Sequence, residues 1–176
     1  METAFVELLQ KRRSIRKYKE TAVEPEKIKQ ILTAALMSPS SKRTNPWEFV
    51  VVDNHEILAK MSACRTYGSQ LLENAPVGIV VCADTTKTDM WQCDASIASI
   101  LMQLEAEELG LGSCWVQVYK REKDENQTAE EYMRELLGIP KNFAVLNIVA
   151  IGYKDEERKP YDLEKLKYEK IHYGKF

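Results

Sequence analysis

Histidine and paired cysteine are scarce in this 176-residue chain. Only His55 and His172 occur, so a catalytic metal site with three histidine ligands is excluded within one chain. The four cysteines lie far apart and form no Cys-x-x-Cys pair, so neither a zinc site nor thioredoxin-type chemistry is indicated. No serine or cysteine elbow motif accompanies a histidine. We therefore predict no metal site and no catalytic side-chain nucleophile.

Long apolar runs and glycine-rich nucleotide motifs are also missing. The longest apolar stretches, such as residues 77–83, are too short to cross a bilayer, and no signal-peptide pattern opens the sequence. Neither Gly-x-Gly-x-x-Gly nor Gly-x-x-x-x-Gly-Lys-Ser/Thr occurs, so Rossmann and P-loop sites are unsupported. With 44% hydrophobic and 30% charged residues, the composition is that of a globular domain. We expect a cytoplasmic protein with one domain, residues 1–176, and no membrane contact.

Positive charge is concentrated near the N-terminus. Residues 11–19 hold six bases and no acid. Residues 1–19 have a net charge of +4 and the rest of the chain −6, which gives the total of −2. A nucleic-acid binder usually spreads positive charge over a whole face, so this local run argues against that class. The run could be a solvated face, or its arginines and Ser14 could hold one phosphate group through guanidinium forks and a hydroxyl.

Hydrophobic periodicity predicts helices and strands that alternate along most of the chain. The predicted helices cover residues 2–12, 25–36, 54–62, 90–109 and 128–137, and the predicted strands cover residues 48–53, 76–83, 113–118 and 144–151. Thr128 and Glu131 form the capping-box pattern that opens the last helix. The strands are apolar almost throughout, as expected when both faces are covered. This order predicts a three-layer α/β or α+β architecture.

Three further segments leave alternatives open. The polar loop at residues 38–47 could carry function or could simply connect a helix to a strand. Asp94 is the one acid in an apolar helical setting, where its pKa could be tuned or where it could cap a loop. The helix over residues 90–109 is apolar on more than one side, which suits a monomer core or a subunit interface. After Gly152 the chain turns polar without a clear stripe, and we expect it to wrap over its own surface or a partner's.

Several motifs, in order from residue 12 to about residue 153, together resemble the flavin-dependent nitroreductase family. They are Arg-Arg-Ser-Ile-Arg-Lys-Tyr at 12–18, Ser-Pro-Ser-Ser at 38–41, Asn-Pro-Trp-Glu-Phe-Val-Val-Val at 45–52, Asp-Ala-Ser-Ile-Ala at 94–98, Leu-Gly-Leu-Gly-Ser-Cys-Trp at 109–115, Leu-Gly-Ile-Pro at 137–140 and Ala-Ile-Gly-Tyr at 150–153. The resemblance implies an α+β three-layer sandwich with a mixed β-sheet flanked by helices. It also implies an intertwined homodimer that holds FMN at its interface, with residues 153–176 as a C-terminal arm around the other subunit.

The resemblance also implies which residues bind the cofactor. The residues expected to contact the FMN phosphate and ribityl chain are Arg12, Arg13, Ser14 and Arg16. Those expected to approach the flavin ring from the partner chain are Pro39, Ser40, Ser41 and Arg43. Those expected beside the flavin, through backbone groups near its N5 edge, are Trp115, Gln117 and Val118. Lys170 and His172 are the nearest candidates for the two late bases that close the phosphate site in many members.

Two positions of the polar loop depart from the family pattern. Many members carry Asn where Arg43 stands and Gln where Asn45 stands, so hydrogen bonding to the ring, and with it substrate choice, could differ here. Trp91 and Tyr67 are candidates for the pocket that covers the flavin, and a place in the core is equally open for both.

The implied activity is an NAD(P)H-dependent flavin oxidoreductase. Hydride would pass from NAD(P)H through the flavin to a small acceptor, such as a nitroaromatic compound or a quinone, by a ping-pong mechanism in which the flavin N5 carries the chemistry. Two alternatives remain: a flavin-binding or redox-sensing protein without turnover, and a nucleic-acid binder that uses residues 11–19.

Overall fold

The computed structural model describes residues 3–176, and these contain five α-helices and four β-strands. The helices are α1 (Ala4–Lys11), α2 (Pro25–Leu36), α3 (His55–Ser62), α4 (Trp91–Glu108) and α5 (Ala129–Leu137). The strands are β1 (Trp47–Val52), β2 (Val77–Asp84), β3 (Gly112–Gln117) and β4 (Phe143–Gly152). Every predicted element is present with bounds shifted by no more than two residues; residue 2, the predicted start of α1, lies outside the described residues. No helix in the described part has the length and apolar composition needed to cross a lipid bilayer.

Local sequence sets the ends of α5. The Thr128 hydroxyl accepts the Glu131 N–H (3.1 Å) and the Glu131 carboxylate accepts the Thr128 N–H (3.0 Å), so the predicted capping box is confirmed. Gly138 ends the helix with a left-handed backbone, φ 67°.

The sheet has the strand order β1-β2-β4-β3, and each of these strand pairs is antiparallel. The predicted α+β sandwich is confirmed, but the expected mixed strand direction is not. Among residues 3–176 the only parallel pairing is the single bridge between Ser14 and Ser113. The mixed direction was implied by the family resemblance, whereas the apolar strands indicated only that both faces of the sheet are covered.

Two hydrophobic cores lie on opposite faces of the sheet. One packs residues such as Leu58 and Met61 of α3 and Met133 of α5 against β2 and β4. The other packs Ile31 of α2 and Met102 of α4 against the second face. These two layers and the sheet make the three-layer sandwich.

A β-bulge at Leu146 shapes the end of β3. Val81 pairs with Asn147 and Cys82 pairs with Val145, so Leu146 is the extra residue on β4. Its carbonyl oxygen accepts the N–H groups of both Val118 and Tyr119 at 3.0 Å. The bulge therefore anchors the chain just after β3, in the region predicted to pass beside the flavin.

Candidate functional site

The basic run, residues 11–19, contacts the start of the edge strand β3. The Ile15 N–H donates to the Ser113 carbonyl (2.9 Å), next to the Ser14–Ser113 bridge. Gly112 permits this close approach, because a Cβ at that position would lie 2.8 Å from the Ile15 side chain. The run is therefore anchored to the sheet and is not simply a solvated face.

Ser14 pairs with Ser113 at the start of β3, and Arg12 and Arg16 stand two residues to either side of Ser14 in the chain. Burial raises the pKa of the Cys114 thiol; the Arg16 charge opposes that rise, the Glu156 charge adds to it, and Ser14 and the Arg12 charge oppose it more weakly. The charges that act on Cys114 thus include a carboxylate as well as two of the predicted phosphate contacts. Two guanidinium groups and a hydroxyl are a donor set well suited to a phosphate monoester.

Arg13 is engaged elsewhere. Its Nη1 donates to the Lys159 carbonyl, and its guanidinium carbon lies 4.4 Å from the centre of the Tyr161 ring. The Tyr161 N–H donates in turn to the Gln10 carbonyl (2.9 Å). Arg13 therefore fastens the C-terminal segment to the N-terminal part of the chain. Its phosphate role stays a prediction that has to compete with these contacts.

Glu156 is a residue at the run that sequence reasoning missed. Its Oε1 accepts the Arg16 backbone N–H (2.5 Å), and its Oε2 pairs with Arg158 (2.7 Å). The hydrogen bond from the Arg16 backbone N–H lowers the pKa of Glu156, and the Arg158 charge lowers it further. No motif or periodicity marks Glu156, because its partner lies 140 residues away along the chain.

The loop at residues 38–45 has a strained backbone. Lys42, Arg43 and Asn45 have φ angles of 51°, 57° and 43°, values that residues other than glycine rarely adopt. Such residues cost about 1–3 kcal/mol each and cluster at functional sites. The Ser40 hydroxyl donates to Asn45 Oδ1 (2.7 Å) and accepts the Asn45 N–H (3.0 Å), which closes the turn. The predicted ring contacts from Pro39 to Arg43 thus occupy one tight turn.

Asp94 connects this loop to α4. Its Oδ1 accepts the Ser41 N–H at 2.8 Å, and the residue is only 3% exposed. Asp94 therefore caps the loop, which was one of the two interpretations left open by the sequence.

The residues at the end of β3 are held by a chain of hydrogen bonds. The Trp115 indole N–H donates to Gln117 Oε1 (2.8 Å), and Gln117 Nε2 donates to the Tyr119 carbonyl (2.9 Å). Arg65, which no motif signalled, donates to the Gln117 carbonyl (3.1 Å). The backbone N–H of the buried Val118 is already bonded to Leu146. The flavin contacts of these β3 residues stay predictions.

The remaining candidates are spread over the molecule. Trp91 is 7% exposed and packs edge-on against Tyr119, with ring centres 4.9 Å apart, so it belongs to the core on the α4 face. Tyr67, by contrast, is 80% exposed. Lys170 and His172 are exposed in the C-terminal segment, and no hydrogen bond among residues 3–176 joins either side chain to the basic run. Their pocket and phosphate roles stay predictions, because the structure of one chain does not bring them to the site.

Comparison with known proteins identifies the family. The sequence model of the nitroreductase family matches residues 9–64 and 60–153. The chain belongs to the nitroreductase family. A protein of Archaeoglobus fulgidus, provisionally named an NADH dehydrogenase/NAD(P)H nitroreductase, is 41% identical over 163 residues, which cover 90% of each chain. The predicted family membership is confirmed.

Solved structures of the same fold agree closely with this nitroreductase-family chain. An FMN-dependent nitroreductase from Clostridium difficile R20291 is 52% identical, with a TM-score of 0.96 over 97% of this chain and 99% of that one. A Bacteroides thetaiotaomicron protein, provisionally named an NADH dehydrogenase/NAD(P)H nitroreductase, is 33% identical, with a TM-score of 0.91 over the whole of both chains. The fold expected from the sequence motifs is thus confirmed over nearly the full length.

Proposed function

We propose that this nitroreductase-family protein is an FMN-dependent oxidoreductase. It takes electrons from NADH or NADPH and delivers them to a small oxidised acceptor, such as a nitroaromatic compound or a quinone. The observation that carries the proposal is the pairing of Ser14, which stands between Arg12 and Arg16 in the chain, with Ser113 at the start of β3. The name and high identity of the Clostridium difficile neighbour support FMN as the cofactor.

The residues at the site fit FMN. Its terminal phosphate carries about two negative charges, which guanidinium groups bind as bidentate, charge-assisted partners. The rim of its ring carries both hydrogen-bond donors and acceptors, which suit the hydroxyl and backbone groups of the tight turn around Ser40 and Ser41. When bound, FMN would supply the two-electron chemistry, accepting hydride from the nicotinamide and passing it to the acceptor, with the two substrates using one face in turn.

The chain's own residues would bind and orient rather than transfer protons. Arg12, Ser14 and Arg16 would anchor the phosphate end. The hydrogen bond from the Trp115 indole to Gln117 fixes both side chains next to the end of β3. No histidine or carboxylate among these groups is placed as a general acid, in keeping with chemistry that the cofactor carries.

A homodimer is part of the proposal. Large apolar side chains are exposed on α1, at the end of α2 and on α4; they are Phe5, Leu9, Leu36, Met37, Ile97 and Ile100. Apolar surface of this kind marks protein–protein interfaces. The C-terminal segment exposes Tyr168, Ile171, Tyr173 and Phe176 as well. We propose that a second copy covers these surfaces and that residues 153–176 form the arm.

All four cysteines are free thiols, which suits a cytoplasmic location.

Absorbance spectroscopy under anaerobic conditions tests the activity. The purified protein, supplied with FMN, should show the visible bands of oxidised flavin. These bands should bleach with NADH or NADPH and return when a nitroaromatic compound or quinone is added. If the protein does not bind FMN, the proposal is wrong.

The same experiment, together with a nucleic-acid binding assay at several salt concentrations, separates the two alternatives. Flavin that binds but is not reduced by either nicotinamide would favour the redox-sensing protein. Binding to DNA or RNA that weakens steeply with salt would favour the nucleic-acid binder. The contacts of Arg13 with the C-terminal segment argue against the latter, because they remove one of the six bases from a free surface.

A further inference from the structure

Asp94 is a buried carboxylate without a cationic partner among residues 3–176. Its Oδ1 accepts the Ser41 N–H, whereas its Oδ2 is buried and has no hydrogen-bond partner in the described part of the chain. Burying an ionisable group whose hydrogen-bonding capacity is not satisfied costs free energy of folding. Its place in the first turn of α4 offsets part of that cost, since helix N-termini favour negative charge. Packing alone gives no reason for a carboxylate here.

The loop that Asp94 holds has few other attachments. Within residues 3–176, the Ser41–Asp94 bond is the only hydrogen bond that joins residues 39–45 to another helix or strand. The loop's remaining hydrogen bonds are internal and keep the left-handed turn closed. They fix its shape but not its position relative to α4.

Two further buried polar groups mark the ends of the same loop. The Ser38 hydroxyl and the Trp47 indole N–H are buried and have no hydrogen-bond partner among the described residues. Trp47 packs in the same core as Trp91 and Ala95, which are neighbours of Asp94 on α4. Two unpaired donors and one unpaired acceptor therefore belong to the loop ends and to the helix turn that holds the loop.

We propose that Asp94 is a positioning residue for the flavin: it acts as a hydrogen-bond acceptor that holds Ser41, and through it the turn around Ser40, in a fixed position on α4. This inference rests on the proposed function. Asp94 does not touch the reacting atoms. Its effect is to fix a strained turn whose own hydrogen bonds cannot locate it.

Two substitutions at Asp94 separate an acceptor role from a charge role. Asp94→Ala removes the acceptor and leaves the Ser41 N–H without a partner, which should weaken FMN binding about tenfold. We also expect an altered visible spectrum of the bound flavin and a larger change in KM for the acceptor substrate than in kcat. Asp94→Asn keeps a carbonyl oxygen for Ser41 and should stay close to wild type in each measurement. If Asn impairs the enzyme as severely as Ala, the charge matters and the proposal is wrong.

Substitutions at Ser41 separate the contribution of its backbone N–H from that of its hydroxyl. Ser41→Pro removes this donor, and the extended backbone of Ser40 (φ −138°, ψ 155°) is compatible with a following proline. Ser41→Ala keeps the N–H and measures what the hydroxyl alone contributes. The loss of FMN affinity in Ser41→Pro, minus the loss in Ser41→Ala, should equal the loss in Asp94→Ala. In a protein that already carries Asp94→Ala, Ser41→Pro should weaken FMN binding no more than Ser41→Ala does. Additive effects would overturn the proposal.

Trypsin digestion of the FMN-free protein gives a readout that does not depend on the proposed function. Lys42 and Arg43 are exposed cleavage points in the loop. Cleavage there should be faster in Asp94→Ala than in wild type and unchanged in Asp94→Asn. Asp124→Ala is the matched control, since it removes a carboxylate that accepts the Asn126 N–H (2.8 Å) in another loop. If the wild-type protein binds no flavin but Asp94→Ala alone is cleaved faster, the proposed function fails and the role of Asp94 in holding the loop stands. Equal cleavage rates in all variants would refute that role.

Discussion

The guanidinium carbon of Arg13 lies 4.4 Å from the centre of the Tyr161 ring, so the basic run is in contact with the C-terminal segment. Neighbouring arginines of one basic run consequently have different partners. The Arg13 side chain donates to the Lys159 carbonyl, while the Arg16 backbone N–H donates to the Glu156 carboxylate. This division leads to the first two predictions.

Replacing Arg13 by Ala should loosen the C-terminal segment. The cation–π contact contributes about 0.5–2 kcal/mol, and the hydrogen bond to Lys159 is lost with it. We expect faster trypsin cleavage after residues 165 and 167, measured by mass spectrometry of timed digests, and a smaller loss of FMN affinity than in Arg12→Ala. Lys17→Ala, at an exposed base of the same run, is the control. A large loss of FMN affinity without faster cleavage would assign Arg13 to the phosphate instead.

Replacing Arg12 or Arg16 by Ala should weaken FMN binding while the fold is retained. A charge-assisted hydrogen bond is worth about 1.5–3 kcal/mol, so each variant should raise the FMN dissociation constant about 10- to 100-fold. Flavin fluorescence titration measures the constant, and far-UV circular dichroism checks the fold. Unchanged FMN affinity in both variants would count against the phosphate site.

Glu156 should make stability depend on pH in the acid range. Its pKa is lowered from the ordinary value of 4.5, chiefly by the Arg16 N–H, so the ionised form stabilises the folded chain. That contribution is present above pH 4.5 and is lost as the pH falls through the lower pKa of the folded state. The difference in Tm between wild type and Glu156→Gln should therefore be largest near neutral pH and shrink below pH 4.5. Glu157→Gln serves as the neighbouring control; a constant difference across the pH range would contradict the assignment.

Replacing Gly112 by Ala should separate the basic run from β3. The new Cβ would lie 2.8 Å from Ile15, and such overpacking typically costs about 1–3 kcal/mol. We expect a lower Tm together with weaker FMN binding, because the clash displaces the residues next to Ser14. Gly138→Ala is the comparison: its left-handed φ of 67° also makes it destabilising, but no atom lies within 4 Å of its new Cβ. Equal FMN affinity in Gly112→Ala and wild type would show that the phosphate contacts do not depend on this approach.

Much of the fold followed from local patterns. The capping box at Thr128 and the proline that opens α2 act within a few residues, so the sequence alone located these helix ends. The family motifs added the expectation of a nitroreductase fold, which was confirmed. Strand direction was not predictable from the apolar runs, because helices cover both faces of this antiparallel sheet, as they would cover both faces of a parallel one.

By itself the sequence determined the elements, the family and the local concentration of positive charge, because periodicity, caps and motifs are encoded within short stretches. Only the tertiary structure decided which partner each charged group has. Asp94 meets Ser41 across 53 residues, Arg16 meets Glu156 across 140, and Arg13 meets Lys159 across 146. Contacts between residues so far apart depend on how the layers pack around the sheet, and no local pattern in the chain encodes that packing.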